Sequence, residues 1–150
     1  LDEHGALSFP DQHRWLDKQV ETRFSEVYTW NQGHYTFSSG SMPDPDVPRL
    51  NIDVFSLSAR VVESVFSSRW LASYFGSLGN PTLTPSESAP FPVEHFRLAG
   101  RDLRLARQLL GRTASIRESL RRFAKADIEK RQVLQLLFLL HQTEHLVEKP

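Results

Sequence analysis

Two histidines four positions apart stand near the C-terminal end of the chain, in the segment HQTEH at 141–145. On a helix this spacing places His141 and His145 about 40° apart, so both imidazoles could bind one zinc ion. The pattern H-x-x-E-H also matches a metallopeptidase signature in which the glutamate, here Glu144, acts as the general base. The segment therefore raises the hypothesis of a zinc-dependent hydrolase.

A packing role is the alternative for the same two histidines. Leu134, Leu137 and Leu140 precede them at helical spacing. Both imidazoles then fall in the last turns of an apolar helix, where a histidinium interacts favourably with the helix dipole. The metallopeptidase signature also needs a third protein ligand, and Glu148 is the only side-chain carboxylate among the five residues that follow. We favour packing and predict no catalytic residue, no cofactor and no metal, with the two histidines as the only metal candidates.

The segment RLAGRDLRLAR at 97–107 carries a second pattern, a stripe of arginines. At about 100° per residue its arginines cluster within roughly 120°, while its leucines and alanines occupy the opposite face. Arginines continue at i, i+4 spacing on the next predicted helix. The aromatic residues of the segment YTWNQGHYTF at 28–37 are expected mainly to pack, and the alternative is a contact site in which two of them are interface anchors. The predicted partner-binding residues are Trp30, Tyr35, Arg97, Arg101, Arg104, Arg107, Arg117 and Arg121.

Charge is unevenly distributed along a chain whose formal net charge is zero. Residues 1–96 hold six basic and twelve acidic residues, whereas residues 97–131 hold eleven basic and four acidic ones. Nine of these eleven are arginine, whose forked guanidinium suits carboxylates and phosphates. Three interpretations of the basic segment stay open: a solvated face, docking onto an acidic surface of another protein or another domain, and binding of nucleic acid or anionic lipid.

Helices account for most of the predicted structure. Apolar periodicity predicts helices over about 11–28, 53–78 and 92–110. Ser115 and Glu118 have the spacing of a capping box and begin a fourth helix, and Asp127 can begin a fifth. A single helix through 115–148 is the alternative, but so long a helix is rare in a small domain, and we favour two. The run VLQLLFLLHQ at 133–142 is apolar around most of its circumference, which favours a core helix over an interface helix.

Two proline-rich segments, near 38–50 and 79–92, interrupt the helical pattern and are predicted to be internal linkers. Between the first helix and the first of these segments, aromatic residues alternate around Gly33. This alternation predicts a short β-hairpin, or an irregular element, near residues 28–37.

Composition excludes several classes of function. The chain has no cysteine, which rules out disulfides, thiolate zinc sites and a cysteine nucleophile. Its longest apolar run has five residues, at 136–140, and is far too short to span a bilayer. No P-loop, dinucleotide-binding glycine pattern, nucleophile elbow or EF-hand loop is present. We predict that the protein is not an enzyme.

The sequence thus predicts one predominantly all-α domain over 1–150, excised from a longer chain. About five helices form either an orthogonal or irregular bundle or a slice of an α-solenoid. The predicted function is that of an intracellular protein-interaction, scaffold or adaptor module, cytoplasmic or nuclear, within a larger assembly. The first alternative is a nucleic-acid-binding helical domain that uses Arg97–Arg131, and the second is a zinc-dependent hydrolase that uses HQTEH.

Overall fold

The computed structural model of this protein describes residues 9–30, 34, 36 and 52–149. These residues are mostly helical with one small antiparallel sheet, which confirms the predominantly α prediction. Along the described residues the elements are α1 (Phe9–Val27), α2 (Val54–Val65), α3 (Ser68–Ser77), β1 (Thr82–Pro85), a 3-10 helix (Val93–Phe96), α4 (Gly100–Leu110), β2 (Ala114–Ser115), α5 (Ile116–Phe123), α6 (Asp127–Gln142) and β3 (Leu146–Glu148).

Helix α1 and the region from Val54 onward belong to separate compact units. Helix α1 begins and ends within two residues of the predicted bounds 11–28. The rings of Phe24 and Tyr28 lie 5.4 Å apart at its C-terminal end. The chain then turns, with the amide of Trp30 donating to the carbonyl oxygen of Val27 at 3.2 Å.

Trp30 and Tyr35 are the two aromatic anchors predicted near this end. Trp30 is exposed over 62% of its surface. Tyr35 lies outside the described residues, as do most of the predicted hairpin at 28–37 and the whole of the predicted linker at 38–50.

Helix α6 is the central element of the region from Val54 onward. Its residues 133–140 are all buried, since α2, α3, α4, α5 and β3 all pack against it. A helix enclosed by five neighbours buries its whole circumference, which is why its sequence is apolar on every side. The core interpretation of this run is confirmed.

The predicted helix over 53–78 is wrong in one respect, because the structure has two helices there. Helix α2 ends at Val65, and Ser67 begins α3 by accepting a hydrogen bond from the Trp70 amide at 3.2 Å. Gln135 of α6 is buried at the break, and its Nε2 lies within hydrogen-bonding distance of three carbonyl oxygens at the end of α2 and just beyond it. A distant side chain thus supplies hydrogen-bond donors that a helix end otherwise lacks.

The predicted helix over 92–110 is also divided. A 3-10 turn ends at Arg97, whose φ of 50° lies in the left-handed region, and α4 begins at Gly100. Helix α4 ends where predicted, with Gly111 as its C-cap. The capping box is confirmed: Ser115 accepts from the amide of Glu118, whose side chain in turn accepts from the amide of Ser115. Two helices, α5 and α6, lie within 115–148, as favoured from the sequence, but helix α6 ends at Gln142 and the last residues of this range form β3 instead of helix.

A strand lies within the predicted linker at 79–92. Strand β1 is the middle strand of a sheet with the order β2–β1–β3 and is antiparallel to both neighbours. Leu83 pairs with Ala114 on one side and with Glu148 on the other, and it is buried. The partner strands have only two and three residues, too few for an alternating pattern to be visible in the sequence.

Candidate functional site

The HQTEH segment does not lie on one helical face. Helix α6 ends at Gln142, Thr143 is its C-cap, and Glu144 has a left-handed backbone with φ of 57°. His145 therefore follows the helix end and leads into β3. The premise of a zinc site on a continuing helix is wrong for this segment. Within the described part of the chain, no group of three or more His, Asp or Glu residues is placed to hold a metal ion.

His145 is a packing residue, with only 3% of its surface exposed. Its Nε2 lies 2.8 Å from the carbonyl oxygen of Phe91 and donates this bond, because a carbonyl oxygen only accepts. Its Nδ1 lies 2.9 Å from Thr143 Oγ1. The rings of Phe91 and Phe96 lie against the imidazole, with centroids 4.8 and 5.6 Å away. His145 thus ties the segment before the 3-10 helix to the turn that follows α6.

His141 belongs to a different cluster. Its Nδ1 lies 3.4 Å from the hydroxyl oxygen of Tyr74, and its Nε2 lies 3.7 Å from Glu148 Oε1. Gln142 Nε2 donates to the same hydroxyl at 2.6 Å. A carboxylate, an imidazole and a hydroxyl in a row can activate a nucleophile, but burial raises the pKa of Tyr74 and so disfavours its phenolate. The row joins α3, α6 and β3.

Two arginines of the predicted stripe on α4 bind carboxylates of other elements. Arg107 donates from Nε and Nη2 to Glu94 Oε1, at 3.2 and 2.8 Å, which joins α4 to the 3-10 helix. This hydrogen bond is the main reason that the pKa of Glu94 lies below its usual range. Arg101 Nη2 donates to Glu129 Oε1 at 3.0 Å, which joins α4 to the first turn of α6. Both arginines therefore have a carboxylate partner within the chain.

The other two arginines between 97 and 107 are exposed. Arg97 lies at the left-handed turn that separates the 3-10 helix from α4. Arg104 lies in the middle of α4, and its guanidinium makes no ion pair with another described residue. The predicted stripe is therefore not one uniform surface: Arg101 and Arg107 bind carboxylates of the same chain, whereas Arg104 makes no ion pair with another described residue.

A second basic surface lies at the junction of α5 and α6, where it forms a wide, shallow depression. Four basic side chains line this cleft of about 570 Å³, together with Leu120, Ala124, Ala126 and one carboxylate, Asp127. We call it the cationic cleft, and its basic residues are Arg117, Arg121, Lys125 and Lys130. None of these four forms an ion pair with another described residue, although Arg121 interacts electrostatically with Glu118 and helps to lower the pKa of that carboxyl.

Local sequence explains how the cationic cleft forms. The capping box fixes the start of α5, so Arg117 and Arg121, four residues apart, share one side of that helix. Three residues, 124–126, then connect α5 to α6. Asp127 and Lys130, three residues apart at the start of α6, complete the opposite wall. Like charges held together in one concavity raise its affinity for anionic groups.

The sequence predicts part of this site. Arg117 and Arg121 are among the predicted partner-binding residues, and Lys125 continues their spacing on the same pattern. Lys130 is missed, because its position depends on how α6 folds back after the short connection. The sequence signals for this arrangement are the capping box that begins α5 and the acidic first turn that begins α6. They leave a connection of only three residues between the two helices, which keeps Lys130 near α5.

Comparison of the chain with protein-family models, with curated proteins and with solved structures gives no match in any of the three. Among the described helices none is both long enough and apolar enough to cross a membrane. The cationic cleft, lined by four basic side chains and one carboxylate, carries a formal charge of +3.

Proposed function

We propose that the protein is an interaction module that binds an acidic segment of a partner protein in the cationic cleft, as a scaffold or adaptor within a larger assembly. The observation that carries this proposal is the composition of the cleft: four basic side chains line it against a single carboxylate, Asp127. The absence of cysteine from the chain fits an intracellular setting, in the cytoplasm or the nucleus.

The cleft lacks the internal carboxylate partners that two of the three arginines of α4 have. Arg101 and Arg107 each bind a carboxylate of the same chain, whereas the four cations of the cleft have no described ion-pair partner. Carboxylates of a partner would relieve the repulsion among these four side chains. They would also accept charge-assisted hydrogen bonds from the two guanidinium groups, which are among the stronger polar contacts that proteins make.

An acidic peptide suits this cleft better than a nucleic acid does. Base recognition by single-stranded binders rests on aromatic side chains that stack on the bases, and no aromatic residue is among those that line the cleft. Asp127 would also repel a continuous phosphate backbone. A peptide can place its carboxylates beside the four cations and present an uncharged residue to Asp127. Nucleic-acid binding is the competing hypothesis, which a comparison of peptide and oligonucleotide affinities tests.

The direct test is fluorescence anisotropy of a labelled polyglutamate peptide with the intact chain, over a salt series. Binding should be measurable at low salt and weaken steadily as salt rises, because exposed charges are screened. Arg121→Ser should weaken binding by about 3- to 10-fold, the range for loss of a partly exposed charge contact. Arg117→Ser should act in the same way.

Arg104→Ser is the matched control, because Arg104 is exposed and makes no described ion pair but lies outside the cationic cleft. It removes the same charge and should leave peptide affinity within about twofold of the parent protein. Equal losses from Arg104→Ser and Arg121→Ser would show that net charge, not the cleft, determines binding. Tighter binding of an oligonucleotide than of a peptide with the same charge would favour the nucleic-acid alternative.

A further inference from the structure

A single apolar side chain, Ile128, projects from the basic surface beside the cationic cleft. Ile128 is 77% exposed, the highest value among the large apolar side chains of the described residues. It belongs to the first turn of α6, directly after Asp127. Single exposed apolar residues are common on protein surfaces, so the position of Ile128, and not its exposure alone, is what matters.

A second cleft, of about 480 Å³, lies on the other side of the first turns of α6. Ile128 lines it together with Arg60, Arg101 and Arg131 and with one carboxylate, Glu63. The first turn of α6 is therefore a ridge between two basic concavities, with Asp127 facing one and Ile128 facing the other. Around this ridge seven basic side chains line the two clefts against two carboxylates.

The cations of the second cleft differ from those of the first in being bonded within the chain. Arg101 binds Glu129, and Arg131 Nη2 donates to the carbonyl oxygen of Glu63 at 2.7 Å. Arg101 and Arg131 line the same cleft as Ile128, so their alkyl stems can add apolar contact area there while their charged ends stay bonded. The second cleft thus offers apolar contact at its edge, whereas the cationic cleft offers unpaired charge.

We infer that the partner segment is acidic and amphipathic: its carboxylates enter the cationic cleft while one of its apolar side chains covers Ile128. This inference rests on the proposed function and specifies the partner. Charge supplies encounter rate and orientation, and the apolar contact at Ile128 supplies the part of the affinity that salt does not remove. Neither a polyphosphate backbone nor a uniformly acidic peptide has an apolar side chain that could pack against Ile128.

The test compares two peptides of equal charge on the intact chain: a run of glutamates with two central leucines, and the same run with two central serines. The parent protein should bind the leucine peptide about tenfold more tightly, as expected for burial of one aliphatic contact. In Ile128→Ser this preference should fall to about twofold, while binding of the serine peptide is unchanged. The fold should be unaffected, which circular dichroism and Tm can establish.

Val54→Ser is the matched control, since Val54 is another strongly exposed β-branched residue at the first turn of a helix and lines neither cleft. It should keep the tenfold preference for the leucine peptide. Equal affinity of the parent protein for both peptides, or an unchanged preference in Ile128→Ser, would overturn the inference while the proposed function survives. Failure of both peptides to bind at low salt would overturn the proposed function and this inference together.

Discussion

Gln135 Nε2 lies 2.9 Å from the carbonyl oxygen of Glu63, and this contact places an amide from the middle of α6 at the C-terminal end of α2. The same nitrogen is 3.2 Å from the carbonyl oxygen of Val62 and 3.0 Å from that of Phe66. Only 8% of Gln135 is exposed. A buried polar side chain in an otherwise apolar run is thus explained by the carbonyl groups at the end of α2 and just beyond it, to which its amide donates.

Replacement of Gln135 by leucine should destabilise the protein although it makes α6 more apolar. The carbonyl oxygen of Phe66 would lose Gln135 as its donor, and those of Val62 and Glu63 would each lose one of two donors. We therefore expect the free energy of unfolding to fall by about 1–3 kcal/mol. Urea denaturation followed by circular dichroism measures this change. Gln108→Leu, the same substitution at an exposed position of α4, should change stability by less than about 0.5 kcal/mol. A Gln135→Leu protein as stable as the parent would refute this role.

The capping box at the start of α5 should contribute measurably to stability. Ser115 Oγ accepts from the amide of Glu118 at 3.2 Å and Glu118 Oε2 accepts from the amide of Ser115 at 2.8 Å. Ser115→Ala should lower the free energy of unfolding by about 1 kcal/mol, the usual loss for an N-cap. Ser73→Ala, in the interior of α3, is the control and should be neutral or slightly stabilising. Equal effects at the two serines would argue against the cap.

Three glutamates should make the fold more stable above pH 5 than below pH 4. The pKa of Glu118 is lowered mainly by its hydrogen bond from the Ser115 amide, that of Glu129 by the Lys125 amide, and that of Glu94 by Arg107. A carboxyl whose pKa is lower in the folded than in the unfolded state contributes stability above the unfolded value of about 4.3, and this contribution is lost as pH falls through the folded value.

Carboxyl chemical shifts from NMR titration can check the three pKa directions one by one. Denaturation measured between pH 6 and pH 3 should show a smaller loss of stability in Glu118→Gln than in the parent protein, because the glutamine does not titrate. Glu87→Gln, at an exposed site for which the structure indicates no such bond, should follow the parent profile. A Glu118→Gln profile parallel to that of the parent would contradict the assignment.

The sequence predicts those parts of the fold that depend on local pattern. Helix α1, the end of α4 at Gly111, the capping box and the separation of α5 from α6 all follow from residues within a few positions of each other. The break between α2 and α3 does not, because the donor that stabilises it comes from Gln135, far along the chain. Strands β2 and β3, which flank β1, are too short to show an alternating pattern of apolar residues in the sequence.

The same limit applies to the candidate site. Helical spacing identifies which arginines share a face, but it does not show which of them another element neutralises. Arg107 and Arg104 are indistinguishable by spacing, and only the position of the 3-10 helix brings Glu94 to Arg107. Likewise, Lys130 joins Arg117 and Arg121 only because α6 folds back after a connection of three residues.

The two histidines of HQTEH should respond very differently to substitution. His145 is buried, its two ring nitrogens have hydrogen-bonding partners on separate segments, and two phenylalanine rings lie against it. His145→Ala should therefore lower the free energy of unfolding by about 2–3 kcal/mol, from the lost packing and the unpaired Phe91 carbonyl group. His141 makes longer contacts to Tyr74 and Glu148, and His141→Ala should cost about 1 kcal/mol or less.

Thermal unfolding with and without added zinc separates this packing role from metal binding. A metal bound only by the folded state would raise Tm in the parent protein, and that rise would vanish in His141→Ala. We expect zinc to leave Tm unchanged in the parent and in His141→Ala alike, because His145 Nε2 is occupied by the Phe91 carbonyl oxygen and the helix ends before His145. A zinc-dependent rise in Tm that both histidine substitutions abolish would restore the metal-site hypothesis.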